Sequence, residues 1–448
     1  MVRRRSVAVV TMTVGALLGA LGTSGATAAP PTGTDASEVS RWNQLAAATL
    51  GAVPGPNGGA PPAFQINMGI VSGAVYDAVN AIGPKKHRPY VLETRAGARA
   101  SIDAAVATAA FHVLDELVSS APERAPFPGR AGLLSTLSTT YASSLAAIAD
   151  TAFKRQGIAV GHAAAEAMLE DREGDGRFGP SAWVPSSAPG HWSPIVTNGV
   201  PALDPTPWAG NVRPFLVESP SQFRSAPPPD LTSAQWAAEY NEVKDIGRAT
   251  GSTRTDTQTY IARWWQSAPV HSWNEVARQL IARTDLDAAD SARLLALQNM
   301  AGADASITCW NDKYHFDFWR PWNAIQRGDE DNNPLTVADP TWTSLIAAPY
   351  PEWTSGHNCQ DGVHAAVLRM FFGDDPVGGK YQITSFATNH GGAAVRMFDT
   401  FTEPLTELID ARIWAGLHYR SADVAGQLLG RNVAAYGATH FAQPVGRG

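Results

Sequence analysis

The sequence predicts an all-α fold, with helix bundles around one shared core and a long irregular Pro/Gly-rich interruption. Three observations carry this. Alanine-rich stretches place apolar residues three and four apart along most of the chain, which is the period of an amphipathic helix. Strand signals are few, and no repeat of 20–50 residues is visible. Between about Gly174 and Pro229 the period stops and prolines crowd in, including Pro180, Pro185, Pro189, Pro194, Pro201, Pro205, Pro207 and Pro214. Proline removes a backbone donor and clashes within a helix, so that stretch reads as irregular.

In chain order, residues 30–36 form a polar lead. Helices are expected over Glu38–Leu50, Ile66–Ile82, Ser101–Ser119, Ala131–Thr151 and Gly157–Arg172, whose Ala and Leu content suits helix interiors. After the irregular segment, Thr232 and Ser233 cap a helix over Ser233–Ala249. Thr255–Trp265, Trp273–Thr284 and one long run from Asp287 to about Ile325 follow. Ser355–Phe372, Glu403–Ala415 and Ser421–Tyr436 complete about twelve helices. The mature chain divides into an N-terminal helical part with the irregular segment (residues 30–230) and a C-terminal helical part (231–448). A long irregular stretch inside a folded chain is a binding loop or lid in some proteins and an inert surface wrap in others.

Composition bounds the function. At 448 residues, 44% hydrophobic and 17% charged, the chain has ample material for a core. A net charge of −7 and the lack of a basic stripe argue against nucleic acid, since Lys85, Lys86, His87 and Arg88 are only a short cluster. Residues 1–29 read as a secretory signal: Arg3, Arg4 and Arg5, an apolar run from Ser6 to Leu21, and small residues at Ala26-Thr-Ala28. No later stretch has about 18 uninterrupted apolar residues, so no membrane span is expected after signal removal. Cys309 and Cys359 are the two cysteines; one disulfide and two buried thiols are equally open readings.

Three short blocks within the C-terminal part supply the chemistry: Lys313 to Arg320-Pro321, Ser355-Gly356-His357, and Arg412 to His418. Lys313 and Arg320 lie two helical turns apart, about 10 Å along one helix face, where both reach a single oxyanion. Tyr314, Phe316, Phe318 and Trp319 between them imply buried cations, which need an anion. Thr354 or Ser355 is placed to cap a helix whose free N–H groups favour an anion, and Gly356 allows close backbone approach. His357 in the first turn titrates near neutrality. Gly416 should end the helix carrying Arg412, leaving His418 in the turn before a helix capped by Ser421. Each block alone reads as simply as solvated helix cations or an ordinary helix end. Their recurrence in order within about 105 residues favours one tetrahedral-oxyanion cage.

The order Lys-x6-Arg-Pro, Ser-Gly-His, Arg-x5-His resembles the superfamily of vanadium-dependent haloperoxidases and type-2 phosphatidic-acid and acid phosphatases. Trp208-Ala-Gly-Asn-Val-Arg-Pro214-Phe215, Arg254-Thr-Asp-Thr-Gln258 and Cys309-Trp-Asn-Asp-Lys-Tyr314 are similar to its bacterial haloperoxidase-like branch. The resemblance implies an α-helical vanadium haloperoxidase-like fold. It implies vanadate as cofactor, with phosphate able to occupy the same site. Lys313, Arg320 and Arg412 would neutralise the vanadate oxygens, and Ser355 and the Gly356 N–H would hydrogen-bond them. His418 would ligate vanadium through a neutral imidazole. His357 would act as acid–base residue toward hydrogen peroxide. A halide would then be oxidised to hypohalite level, with a small organic substrate as acceptor. Trp310 and Tyr350 would stand behind the cage near the halide approach. Two positions depart from the family pattern: Thr354 stands in place of Pro, and Ala411 in place of Ser.

The resemblance therefore implies a secreted vanadate-dependent haloperoxidase. An acid phosphatase using His418 as nucleophile fits the same cage, and a non-catalytic oxyanion binder is the reading from outside enzymology. Chloride against bromide and the oligomeric state stay open.

Overall fold

The computed structural model describes residues 36–84, 86–121, 127–184 and 186–445. The leader expected over residues 1–29 and most of the polar lead lie outside them. Thirteen α-helices are described: α1 Ala36–Gly51, α2 Pro61–Asn80, α3 Ile102–Ser119, α4 Arg130–Ala146, α5 Ala152–Asp171, α6 Ala234–Ile246, α7 Asp256–Trp264, α8 Pro269–Ile281, α9 Ala288–Phe316, α10 Pro321–Gln326, α11 Gly356–Phe372, α12 Thr402–Trp414 and α13 Arg420–His440. The mostly helical fold class read from the sequence is the one found.

Two details differ from expectation. The single run from Asp287 to Ile325 is two helices. Asp317 adopts the left-handed conformation at φ 48° and ends α9. Arg320, before Pro321, is extended, as proline demands of the residue it follows. The irregular segment stabilises this break: Trp192 N donates to the Asp317 carbonyl (2.9 Å), Trp319 N to Gly190 O (2.9 Å), and Trp183 Nε1 to the Asp317 carboxylate (2.9 Å). The second difference is a hairpin, Tyr381–Thr384 (β1) paired antiparallel with Val395–Phe398 (β2), Tyr381 facing Phe398. Four-residue strands between glycine-rich turns leave too short an alternation to read. A smaller antiparallel pair, Val196–Thr197 with Val200–Pro201, lies within the irregular segment.

The described residues form one compact unit. Helix α9 is its axis: Leu294 to Trp310 is buried throughout, and α2, α11 and α13 pack on it. Helix α2 is also buried on nearly every face, which is why its apolar pattern is continuous rather than striped. Close approach of α13 to α11 depends on small residues. A Cβ at Gly430 would lie 2.4 Å from Cys359 O, and one at Gly426 would lie 2.8 Å from Ser355 O. Those glycines let α13 sit against the first turn of α11, where the second sequence block begins.

The irregular segment is anchored rather than loosely wrapped. Asp304, buried on α9, accepts from three consecutive amides: Phe215 (2.6 Å), Leu216 (2.7 Å) and Val217 (3.0 Å). Asp77 on α2 grips Tyr90, Val91 and Leu92 in the same way, at 2.7–2.9 Å. Burial pushes the Asp304 carboxyl up to about 6, against the pull of those amides. An unpaired buried donor costs about 1–3 kcal/mol. Asp304→Ala is therefore expected to destabilise the fold by about 3 kcal/mol or more, read as a lowered urea midpoint; an unchanged midpoint would show that the amides find other partners.

Candidate functional site

Lys313 and Arg320 meet, but not by helical spacing. Lys313 is in the last turn of α9 and Arg320 is the residue before α10, so a chain reversal, not two helical turns, brings their head groups together. Both are fully buried. They converge on the loop that precedes α11. Lys313 Nζ donates to the carbonyls of Pro351 (3.1 Å), Glu352 (3.0 Å) and Thr354. Arg320 donates from Nε to Tyr350 O (3.0 Å), from Nη2 to Pro351 O (3.3 Å) and from Nη1 to Leu417 O (2.8 Å). Carbonyls in a buried loop have no ladder to satisfy them, and here the two cations take that role. Tyr350 covers the cations: its ring centroid is 5.3 Å from Lys313 Nζ, 5.1 Å from Arg320 Cζ and 5.0 Å from the Trp310 ring.

His418 lies in the turn between α12 and α13 and is 1% exposed. Its Nε2 is 3.1 Å from Arg320 Nη1 and its Nδ1 is 2.7 Å from Glu352 Oε1. A guanidinium only donates, so Nε2 carries the lone pair and Nδ1 carries the proton, which it gives to Glu352. The imidazole is thus neutral, with its basic nitrogen turned toward the cations. Burial first, then the charges of Arg320, Lys313 and Arg412, hold its pKa well below the ordinary range. Glu352 also accepts from Tyr419 N at 3.2 Å. Burial pushes its carboxyl up to about 8, against the opposing charges of Arg320 and Lys313.

Ser355 is the residue before α11, but its hydroxyl makes no capping bond; the expected cap is absent because the hydroxyl faces a polar cluster instead. It accepts from Asn358 Nδ2 (3.2 Å), whose other hydrogen goes to Asp423 Oδ1 (2.7 Å). Gly356 opens α11 where space is short: a Cβ there would lie 3.2 Å from Trp310 and 3.8 Å from Lys313 Cε. His357, half-buried in the first turn, has no partner for Nε2 and lies near the Ser267 backbone. Its imidazole is held well below its usual pKa, by burial and then by Arg412. Arg412 is 3% exposed. Its Nε has no partner, and Nη1 reaches the Trp265 carbonyl only at 3.4 Å.

The structure therefore brings Arg320 and His418 into direct contact, joins Lys313 to Arg320 through the shared Pro351 carbonyl, sets Gly356 against Lys313, and places Lys313, Arg412 and His357 within electrostatic reach of His418. Trp310 and Tyr350 lie against the cations. Four further residues were not singled out in the sequence: Glu352, Asn358, Asp423 and Asp204. Asp204, from the irregular segment, accepts from Trp310 Nε1 (2.9 Å) and Tyr314 OH (2.7 Å) and so fixes the aromatic wall. A carboxylate inside Tyr-Pro-Glu-Trp was the one legible signal for Glu352. Cys309 and Cys359 are both buried and free.

The arrangement suits a tetrahedral oxyanion. Three buried cations, an unpartnered guanidinium nitrogen, an unpartnered imidazole nitrogen and a glycine at the start of α11 fit vanadate or phosphate. The comparisons agree. Residues 293–447 match the model of the VCPO second helical-bundle domain. Over 200 residues the chain is 26% identical to vanadium chloroperoxidase from Curvularia inaequalis, a match spanning 37% of this chain and 32% of that protein. Less than a third of the curated relative's length is thus matched. The first bacterial vanadium-dependent iodoperoxidase of known structure superposes with a TM-score of 0.71 at 21% identity, covering 92% of this chain and 98% of that one. The holo-type bacterial vanadium-dependent chloroperoxidase gives 0.66 at 16% identity, covering 87% and 93%. These findings bear out the resemblance read from the sequence: the C-terminal helices match the second helical bundle of the vanadium chloroperoxidase type, and the fold is similar to that of bacterial vanadium haloperoxidases.

Two outcomes follow from this geometry. Glu352→Ala leaves the His418 ring free to turn and should weaken vanadate binding about 10–100-fold, as loss of an outer partner of a ligating histidine does; Glu352→Gln, which keeps an acceptor, should lose less. Calorimetry giving equal affinity in all three proteins would sink the positioning role. Burial lowers Lys313 to about 8, so it loses its charge as pH rises through that value. Affinity for sulfate, whose own charge is constant there, should begin to fall as pH passes about 8, and a flat profile to pH 10 would contradict the cation's role.

Proposed function

We propose that this protein is a secreted vanadate-dependent haloperoxidase that oxidises halide with hydrogen peroxide to a hypohalite-level species. The single observation that carries the reading is the setting of His418, Nδ1 on Glu352 at 2.7 Å and Nε2 on Arg320 at 3.1 Å, which leaves the Nε2 lone pair facing a buried cation. A phosphate store needs the cations but not a lone pair held ready on nitrogen. Export rests on residues 1–29 of the sequence.

Lys313, Arg320 and Arg412 would hold vanadate through its oxygens, joined by the Ser355 hydroxyl and the Gly356 amide, and His418 Nε2 would donate to it. When bound, vanadate supplies a Lewis acid that polarises peroxide oxygen toward a halide. The protein's own contribution is positional and protonic. Arg320 Nη1, which meets His418 Nε2 at 3.1 Å, would exchange that contact for an oxyanion oxygen. Glu352 keeps the His418 proton on Nδ1 throughout. His357 Nε2, without a partner and beside the Ser267 backbone, is the base that takes a proton from incoming peroxide. Trp310 and Tyr350 wall the cations from water on one side, which strengthens each charge interaction.

The same His418–Glu352 pair suits attack on phosphorus, so the test has two arms. With orthovanadate, hydrogen peroxide and bromide, the purified protein should brominate a phenolic dye. His418→Ala should abolish this, and His357→Ala should lower it by about a hundredfold or more. Hydrolysis of p-nitrophenyl phosphate without bromination would overturn the reading in favour of a phosphatase.

A further inference from the structure

The proposed reaction uses neither thiol, yet the two cysteines adjoin its site. Cys309 lies on α9 one turn before Lys313, and Cys359 lies on α11 two residues after His357. They are the chain's two cysteines, each 0% exposed. The Thr354 hydroxyl sits between them, 3.3 Å from each sulfur. Cys309 Sγ (3.6 Å) and Lys313 Nζ both donate to the Thr354 carbonyl. One peptide group thus separates the thiol pair from the cage. Thr354 is also a position where the chain departs from the family pattern, and its hydroxyl is what bridges the sulfurs.

We propose that Cys309 and Cys359 are a covalent modification site, a dithiol that hydrogen peroxide converts to a disulfide joining α9 to α11. The Cys309 thiolate attacks one peroxide oxygen, breaking the O–O bond, and becomes a sulfenic acid as the other oxygen leaves as water after protonation. The Cys359 sulfur then displaces the sulfenic oxygen, which leaves as a second water, and the S–S bond forms. Two thiols lose two hydrogens and one peroxide is reduced to two waters. Cys309 is the attacking sulfur. Burial raises its pKa, but the nearby Cys359 sulfur and the Lys313 charge outweigh it, so it stands below the usual thiol range. Cys359 stands well above that range, chiefly through burial.

The bond would fix the helix carrying Trp310 and Lys313 to the helix carrying Gly356 and His357. It would also retire two oxidisable sulfurs that lie next to a site of oxidant chemistry. The oxidant is the substrate class of the proposed reaction. The test adds it directly and without halide, so its outcome is independent of halide turnover.

The full-length protein is reduced, freed of reductant, treated with a small excess of hydrogen peroxide, then denatured and alkylated. Two alkylated cysteines per chain are expected before peroxide and none after, with a linked peptide pair containing Cys309 and Cys359 that separates on reduction. Protein isolated without reductant and already linked supports the proposal equally. Cys309→Ser and Cys359→Ser should each abolish the intrachain link, and the rise in melting temperature on oxidation should occur in the unsubstituted chain alone. The proposal is overturned if both thiols stay alkylatable after peroxide, or if each is oxidised separately without a link. Both of those readings come from the unsubstituted protein, so a poorly folding variant does not blunt them.

Discussion

Lys313 and Arg320 hold the site together before any anion arrives. The loop from Tyr350 to Thr354 is buried and has no strand or helix to satisfy its carbonyls. Four of them, on Tyr350, Pro351, Glu352 and Thr354, accept from these two cations. That loop in turn delivers Glu352 to His418 and Ser355 to the start of α11. The cations are thus structural and functional at once. A buried charge is stabilised only by groups that answer it, and backbone dipoles answer part of the demand. Arg412, with its unpartnered Nε, is the cation left for a ligand to satisfy.

The surrounding carboxyls show how the fold tolerates this concentration of charge. Glu352 is pushed up to about 8 and Asp361 to about 7, in both cases by burial first and against opposing cations. Asp423 is raised well above its usual range for the same reason. Glu352 and Asp361 are thereby brought toward neutrality, where a carboxyl can exchange its proton. Perturbed carboxyls and imidazoles gathered in one place are the usual mark of a functional centre.

The irregular segment belongs to this design. Asp204 fixes the indole of Trp310 and the phenol of Tyr314, and Trp183 and His191 meet Asp317 at the end of α9. It is the stretch that stops α9 at Phe316. Without that stop, Arg320 would continue along the helix face instead of turning back to His418.

Local sequence was enough for the helices, because apolar residues three and four apart write the period directly, and for the inventory of Lys313, Arg320, Ser355, Gly356, His357, Arg412 and His418, because ordered motifs survive without a structure. It was not enough for how Lys313 and Arg320 meet. Seven-residue spacing suggested one helix face, whereas the left-handed Asp317 and the pre-proline Arg320 form a reversal that depends on contacts from more than a hundred residues earlier. Nor did it disclose Glu352, Asn358, Asp423 or Asp204, which are single polar residues without periodicity, given a role only by what packs against them. The hydroxyl of Ser355 looked like a cap and is not one, since Asn358 and Asp423 claim it in space. Spacing along the chain determined which groups were available; which nitrogen of His418 holds its proton was decided by Glu352 and Arg320 arriving on opposite sides of one ring.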